Sequence, residues 1–142
     1  SYTVFHKDSQ TFSCLWTEYQ EDYAAFCRAY QQDLDAYGSA EGFEGKPNTP
    51  PNVFNVSMIP WESFDSFHLH CPQGNSYLLP ILFTIGRFYR EGDRVLLPLA
   101  VQVHHAVCDG FHLCRLIGEV RAWLADGGPA AGGQPVREGA EK

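Results

Sequence analysis

An apolar, strand-like run from Val95 to Val103 ends in the pair His104-His105, and a helical pattern opens at Asp109-Gly110 and continues to about Leu124. The chain must therefore turn from strand to helix within a few residues, with two imidazoles at the turn. Such a junction holds a titratable group in a fixed position. Asp109 is a good helix N-cap because its carboxylate can accept an amide of the first turn. Gly110 lets the backbone turn without a Cβ penalty.

Three chemistries fit this stretch. Neutral imidazole takes up a proton near neutral pH, as a general base must, with Asp109 bracing the turn. His104, His105 and His112 with Cys108 or Asp109 are also suitable metal-ligand types. Successive side chains on a strand point to opposite faces, however, so His104 and His105 do not easily share one ion. A histidine at a strand end is also commonly a half-buried, hydrogen-bonded residue with no chemical role. On the stretch alone that ordinary reading ranks first and the metal last.

The remaining pattern is legible in outline. Tyr2 to Phe5 reads as a short strand. Thr17 with Gln20 three residues on resembles a capping box. Tyr19, Tyr23, Phe26, Tyr30, Leu34 and Tyr37 then form a helical stripe, read as core packing and stopped by Gly38. Gly38 to Asn52 is a loop carrying Phe43, an apolar residue in the kind of segment that displays binding groups. Val53 to Ile59 is a strand on which Asn55 and Ser57 share one face; if buried, such a polar pair needs hydrogen-bond partners. Ser63 to Leu69 reads as a second, partly exposed strand, and Cys71 to Ser76 as a turn. Leu78 to Phe88 and Val95 to Val103 are apolar strands, joined as a hairpin across Arg90-Glu91-Gly92-Asp93. In the helix from Asp109, the residues Leu113, Leu116, Ile117, Val120 and Leu124 form the side expected to be buried. Residues 1–125 read as one domain and 126–142, rich in Gly and Ala with Pro129 and Pro135, as a flexible tail.

Composition excludes some function classes. A length of 142 residues fits one domain, and 44% hydrophobic with 19% charged residues describes a globular chain. A net charge of −7 argues against nucleic-acid binding, which depends on clustered Lys and Arg. No apolar run approaches the roughly 20 residues that span a bilayer, so no membrane partner is expected, and no secretory pattern is visible at Ser1. The five cysteines, Cys14, Cys27, Cys71, Cys108 and Cys114, are an odd number without a C-x-x-C pair. They form neither a disulfide framework nor a zinc ribbon, and free thiols point to a reducing compartment, hence the cytoplasm.

The run Q-V-H-H-A-V-C-D-G-F-H at 102–112 resembles the active-site signature of the chloramphenicol acetyltransferase family at every position that signature fixes. A shorter form, H-H-x-x-x-D-G, is shared with the dihydrolipoyl acyltransferase cores of 2-oxo-acid dehydrogenase complexes; Gly110-Phe111-His112 favours the antibiotic enzyme. Tyr2-Thr3-Val4-Phe5-His6, Thr11-Phe12-Ser13, Asn55-Val56-Ser57, Pro60-Trp61 and Ser63-Phe64-Asp65-Ser66-Phe67 resemble further family segments in order. So do Phe83 to Tyr89, Gly92-Asp93-Arg94 and Leu97-Pro98-Leu99. The resemblance runs from about Ser1 to about Leu124.

The resemblance implies an α/β fold, a mixed sheet with helices packed on one side, as in coenzyme-A-dependent acyltransferases. It implies acetyl transfer from acetyl-CoA to the 3-hydroxyl of chloramphenicol in a bacterial cytoplasm, without a metal. His105 would be the general base and Ser57 the hydroxyl that hydrogen-bonds the oxyanion. Asp109 would support the catalytic turn by pairing with an Arg near the amino terminus, and Asn55 would position the same region. Trp61 would line the pantetheine channel, Thr84 border the acceptor pocket, Phe88 stack on the adenine, and Phe43 contact the acceptor. Family members are homotrimers with inter-subunit active sites, base and serine coming from neighbouring subunits. The chain starts well inside the family pattern, roughly a third of the usual length short, where the Arg and much of the acceptor pocket would lie. Two alternatives accompany this reading: a dihydrolipoyl-type acyltransferase and an inactive, truncated remnant.

Overall fold

Tyr, Thr, Val and Phe at the amino end favour extended chain, and they form β1 (Tyr2–His6), which turns back through a left-handed Gln10 (φ 54°) into β2 (Thr11–Leu15). The structure, a computed structural model, describes residues 1–69 and 81–128. Helix α1 (Tyr23–Tyr37) follows, then β3 (Asn55–Ile59), β4 (Ile81–Gly86), the short β5 (Tyr89–Glu91) and β6 (Arg94–Leu96), β7 (Leu99–Val103) and α2 (Gly110–Ala125). Five strands make one sheet in the order β2-β1-β3-β4-β7, and β5 and β6 make a separate ribbon. The β1–β3 and β3–β4 pairs are parallel, and the outer pairs are antiparallel. The sheet is mixed, as expected.

Four expectations need correction. The capping box at Thr17 does not form: Asp22 caps α1, its Oδ1 accepting from the Ala25 amide at 2.6 Å. Thr17 donates its hydroxyl to Asp33 instead, at 2.8 Å. The segment 63–69 is not a strand; no backbone ladder reaches it. The Gln102 carboxamide holds its end, accepting from the Leu69 amide at 3.2 Å and donating to the Leu69 carbonyl at 3.1 Å. The turn at 90–93 does not join β4 to β7 directly. Those strands do pair, from Ile81↔Val103 to Ile85↔Leu99, but the turn closes the separate β5–β6 ribbon. Pro98, which has no amide to donate, lies at the break, and the Gly86 amide bonds its carbonyl at 2.9 Å.

The fourth correction concerns the helices. No residue of α1 or α2 is fully buried. In α2, Val120 is 37% and Leu124 62% exposed, whereas the stripe was expected inside. The apolar periodicity is present, and Leu113, Leu116 and Ile117 are half-buried, but the carboxy-terminal part of that face stays open. The α1 stripe is likewise half-covered: Tyr30 packs on Tyr2, ring centroids 4.8 Å apart, while Tyr19 points outward. The expected turn at 71–76, the start of the strand expected from Leu78, Cys71 and the tail from 129 lie outside the described residues.

One enclosed region sits between β2, α1 and the loop after α1. Leu15 is completely buried, and residues 43–45 lie along the β2 edge, with the Cys14 amide bonding the Phe43 carbonyl at 2.7 Å and the Gly45 amide the Cys14 carbonyl at 3.0 Å. The next residue, Lys46, reaches inward. Its ammonium donates to Asp33 Oδ1 at 2.7 Å and to the Trp16 carbonyl at 3.1 Å, and stands 4.0 Å from the Trp16 ring centroid. Phe43 is thereby held beside β2.

Candidate active site

Strand β7 delivers His104 and His105 to a turn tied by its own backbone. The amides of Val107 and Cys108 donate to the His104 carbonyl at 3.0 and 3.1 Å. The Ala106 amide donates to His104 Nδ1 at 3.1 Å. An accepting Nδ1 places the ring proton of neutral His104 on Nε2, so the ordinary reading, a hydrogen-bonded turn residue, describes His104. The His105 ring is exposed and has no hydrogen-bond partner among the described residues, which leaves its lone-pair nitrogen unengaged.

Asp109 then starts α2. In extended backbone (φ −95°, ψ 174°), its Oδ1 accepts the His112 amide at 3.0 Å and pairs with His112 Nδ1 at 2.7 Å. Those two bonds, amide first, hold its carboxyl below the ordinary aspartate value. The local expectation of an N-cap is met, and the partner is a histidine one turn along the same helix. With His104 and His112 so engaged, among the described residues no three His, Cys, Asp or Glu side chains gather as a metal site.

Ser57 lies in the middle of the sheet. Registered partners share a face, so Thr3, Ser57 and Thr84 form one row across three adjacent strands. Asn55 is two residues before Ser57 on the same face, as alternation requires. Thr84 is only 2% exposed. Thr3 Oγ1 donates to Ser57 Oγ at 3.4 Å. Beside this row opens a cleft of about 260 Å³ lined by Thr3, Phe5, Phe12, Ser57, Met58, Pro60 and Trp61. The Phe5 and Trp61 rings meet edge to face at 4.9 Å, and Phe43 reaches the cleft wall through Phe12 at 6.2 Å.

The predicted residues thus fall into two groups. Ser57 and Trp61 line one cleft, with Asn55 and Thr84 beside Ser57 and Phe43 behind Phe12. His105 and Asp109 stand at the far end of β7. Phe88 is exposed at the break between β4 and β5. Ser57 is in register with Thr84, and Thr84 with Ala100. Ala100 is therefore two strands, about 10 Å, from Ser57, and His105 lies roughly 15 Å further along the chain. By this geometry the backbones at the two positions of one chain are on the order of 15–20 Å apart, more than two side chains span to one reacting atom.

Sequence reasoning missed Thr3, Phe5 and Phe12 as cleft residues. The period of two in Thr3 and Phe5 carried the signal that they share a face, but which strand faces them is a non-local fact. Lys46 and His112 were missed as partners of Asp33 and Asp109, although His112 stands at helical spacing from the N-cap.

A family model described as chloramphenicol acetyltransferase matches residues 1–121. A chloramphenicol acetyltransferase of Clostridium perfringens is 54% identical over 121 residues, 85% of this chain and 58% of that protein. One of Campylobacter coli is 55% identical over 123 residues, 87% of this chain and 59% of its own length. A solved chloramphenicol acetyltransferase structure superposes with a TM-score of 0.69 at 22% identity, covering 87% of this chain and 59% of the other, a likeness of fold. The chain spans less than two thirds of the length of these relatives.

Proposed function

Because the chain belongs to the chloramphenicol acetyltransferase family, we propose that it transfers the acetyl group of acetyl-CoA to the 3-hydroxyl of chloramphenicol. The carrying observation is the turn after β7, where His104 is spent on the backbone and His105 presents an unengaged imidazole.

His105 accepts the proton of the substrate hydroxyl as the oxygen attacks the thioester carbonyl. The tetrahedral intermediate carries a negative oxygen, to which the Ser57 hydroxyl donates; removing one such donor typically costs about 2.7–4 kcal/mol of barrier. Collapse breaks the C–S bond, and the CoA thiolate takes the proton back from His105. No acyl-enzyme forms, and two substrates held together supply the proximity. Asp109 keeps the turn in place through its cap and His112. Trp61 lines the way for the pantetheine arm, Phe88 offers a face to the adenine, Thr84 and Phe43 border the acceptor, and Asn55 positions the region of the catalytic turn.

The separation of His105 from Ser57 supports a site shared between copies of the chain, in a homotrimer where one subunit supplies the base and its neighbour the serine. Incomplete cover over both helices supports the same assembly. The reducing cytoplasm agrees with the four described cysteines, all free.

The test is chloramphenicol-dependent release of CoA thiol. Wild type releases thiol; His105→Ala and Ser57→Ala each lose at least about a hundredfold. Mixing the two variants and reassembling restores part of the activity, because some interfaces then carry an intact pair. Activity in His105→Ala, or no restoration on mixing, overturns the assignment.

A further inference from the structure

Resting on the transfer reading above, we propose that Thr3 is a positioning residue that fixes the Ser57 hydroxyl as a donor toward the cleft. A serine hydroxyl has one proton and can also accept, so its value at a developing oxyanion depends on where that proton points. Ser57 Oγ accepts from Thr3 Oγ1 at 3.4 Å. With that lone pair occupied from the β1 side, the Ser57 proton is directed away from β1.

The surroundings make this contact matter. Thr3 and Ser57 both line the cleft, whose other walls, Phe5, Phe12, Met58, Pro60 and Trp61, offer no side-chain donor beyond the Trp61 indole. Thr3 is β-branched and therefore stiff about its first torsion, and the ladder to Cys14 fixes its backbone. The parallel pairing of β1 with β3, through Tyr2↔Val56 and the Val56 amide bonding the Ser1 carbonyl at 2.8 Å, brings together residues 54 positions apart. At 3.4 Å the bond is long. It orients a proton while contributing little to folding.

The experiment uses the full chain, with Thr3→Val removing the hydroxyl while keeping the shape and Thr3→Ser restoring it. Thr3→Val lowers kcat for acetyl transfer about three- to tenfold, the scale of one net hydrogen bond. The chloramphenicol KM stays within about twofold and Tm does not move. Thr3→Ser recovers kcat to within about twofold of wild type. In a Ser57→Ala background, Thr3→Val has no further effect, because the group it acts through is gone. Unchanged kcat in Thr3→Val, a loss confined to KM, or full additivity with Ser57→Ala overturns the inference. Should valine disturb β1, Thr3→Ala carries the same test. A wild-type chain that releases no CoA thiol overturns the transfer reading itself, and measuring wild type and Ser57→Ala first separates that failure from the failure of Thr3 alone.

Discussion

Lys46→Met should unseat the loop that holds Phe43. The Lys46 and Asp33 side chains are 15% and 16% exposed and meet at 2.7 Å. Methionine keeps most of the aliphatic stem over Trp16 and removes the charge. Asp33 retains the Thr17 hydroxyl at 2.8 Å, but the Trp16 carbonyl loses its Lys46 donor. Removing one partner of a buried pair costs about 3–5 kcal/mol. Residual water access and the Thr17 bond bring the expectation here to about 2–3 kcal/mol. The exposed Arg115–Glu119 pair at 2.8 Å, 70% and 62% exposed, is the control; Arg115→Ala should cost about 0.5 kcal/mol or less. Urea unfolding followed by tryptophan fluorescence measures both. Adding Asp33→Leu to Lys46→Met should recover at least about 1 kcal/mol, since no charge is then left unpaired. A Lys46→Met cost below about 0.5 kcal/mol, or strict additivity in the double variant, would refute the reasoning.

Gly45→Ala puts a Cβ 2.8 Å from Leu15 Cδ2 and 3.0 Å from Ser13 Oγ, both on buried residues, whereas Gly118→Ala in α2 meets nothing within 4 Å. The first should destabilise by about 1–3 kcal/mol and the second stabilise by about 0.5–1 kcal/mol in the same urea assay; equal effects contradict the packing described. Asp109 has a depressed pKa. Its contribution to the cap is present above the unfolded aspartate value, about 3.9, and is lost as pH falls through the lower folded one. A carboxyl carbon titration by NMR should therefore find Asp109 below about 3.9, and a midpoint above it refutes the His112 contacts. Burial pushes the Cys14 thiol up, so at about pH 8 iodoacetamide should label Cys14 more slowly than exposed Cys27 and Cys114. Equal rates in peptide mapping count against a half-buried Cys14.

Local determinants were legible because they act within one helical turn or one strand. Asp109 caps α2 because its own amide neighbours lie three residues away, and the alternation of Asn55, Val56 and Ser57 settles which residues share a face whatever pairs with β3. The turn after β7 was equally local, down to a bond between His104 and the amide two residues on. The candidate site was legible through resemblance for His105, Ser57 and Asp109 as residue types, not through any distance between them.

Other elements depended on partners far along the chain. Thr17 looks like a cap and becomes a half-buried hydroxyl bonded to Asp33, because Asp22 is the better-placed acceptor and Asp33 arrives from the far end of α1. Residues 63–69 alternate weakly and stay out of the sheet, while 11–15 join it because β1 presents a free row of amides and carbonyls. Helical periodicity in α2 predicts an apolar stripe; burial of that stripe needs a facing surface, which periodicity does not supply.

The sequence by itself determined the strand-to-helix turn with its two imidazoles, the shared face of Asn55 and Ser57, and the family. Tertiary structure alone decided that Thr3 meets Ser57, that Lys46 meets Asp33, and that His105 stands far from Ser57. The physical reason is that periodicity and capping are set by covalent neighbours, whereas strand order and register arise from pairing between segments tens of residues apart.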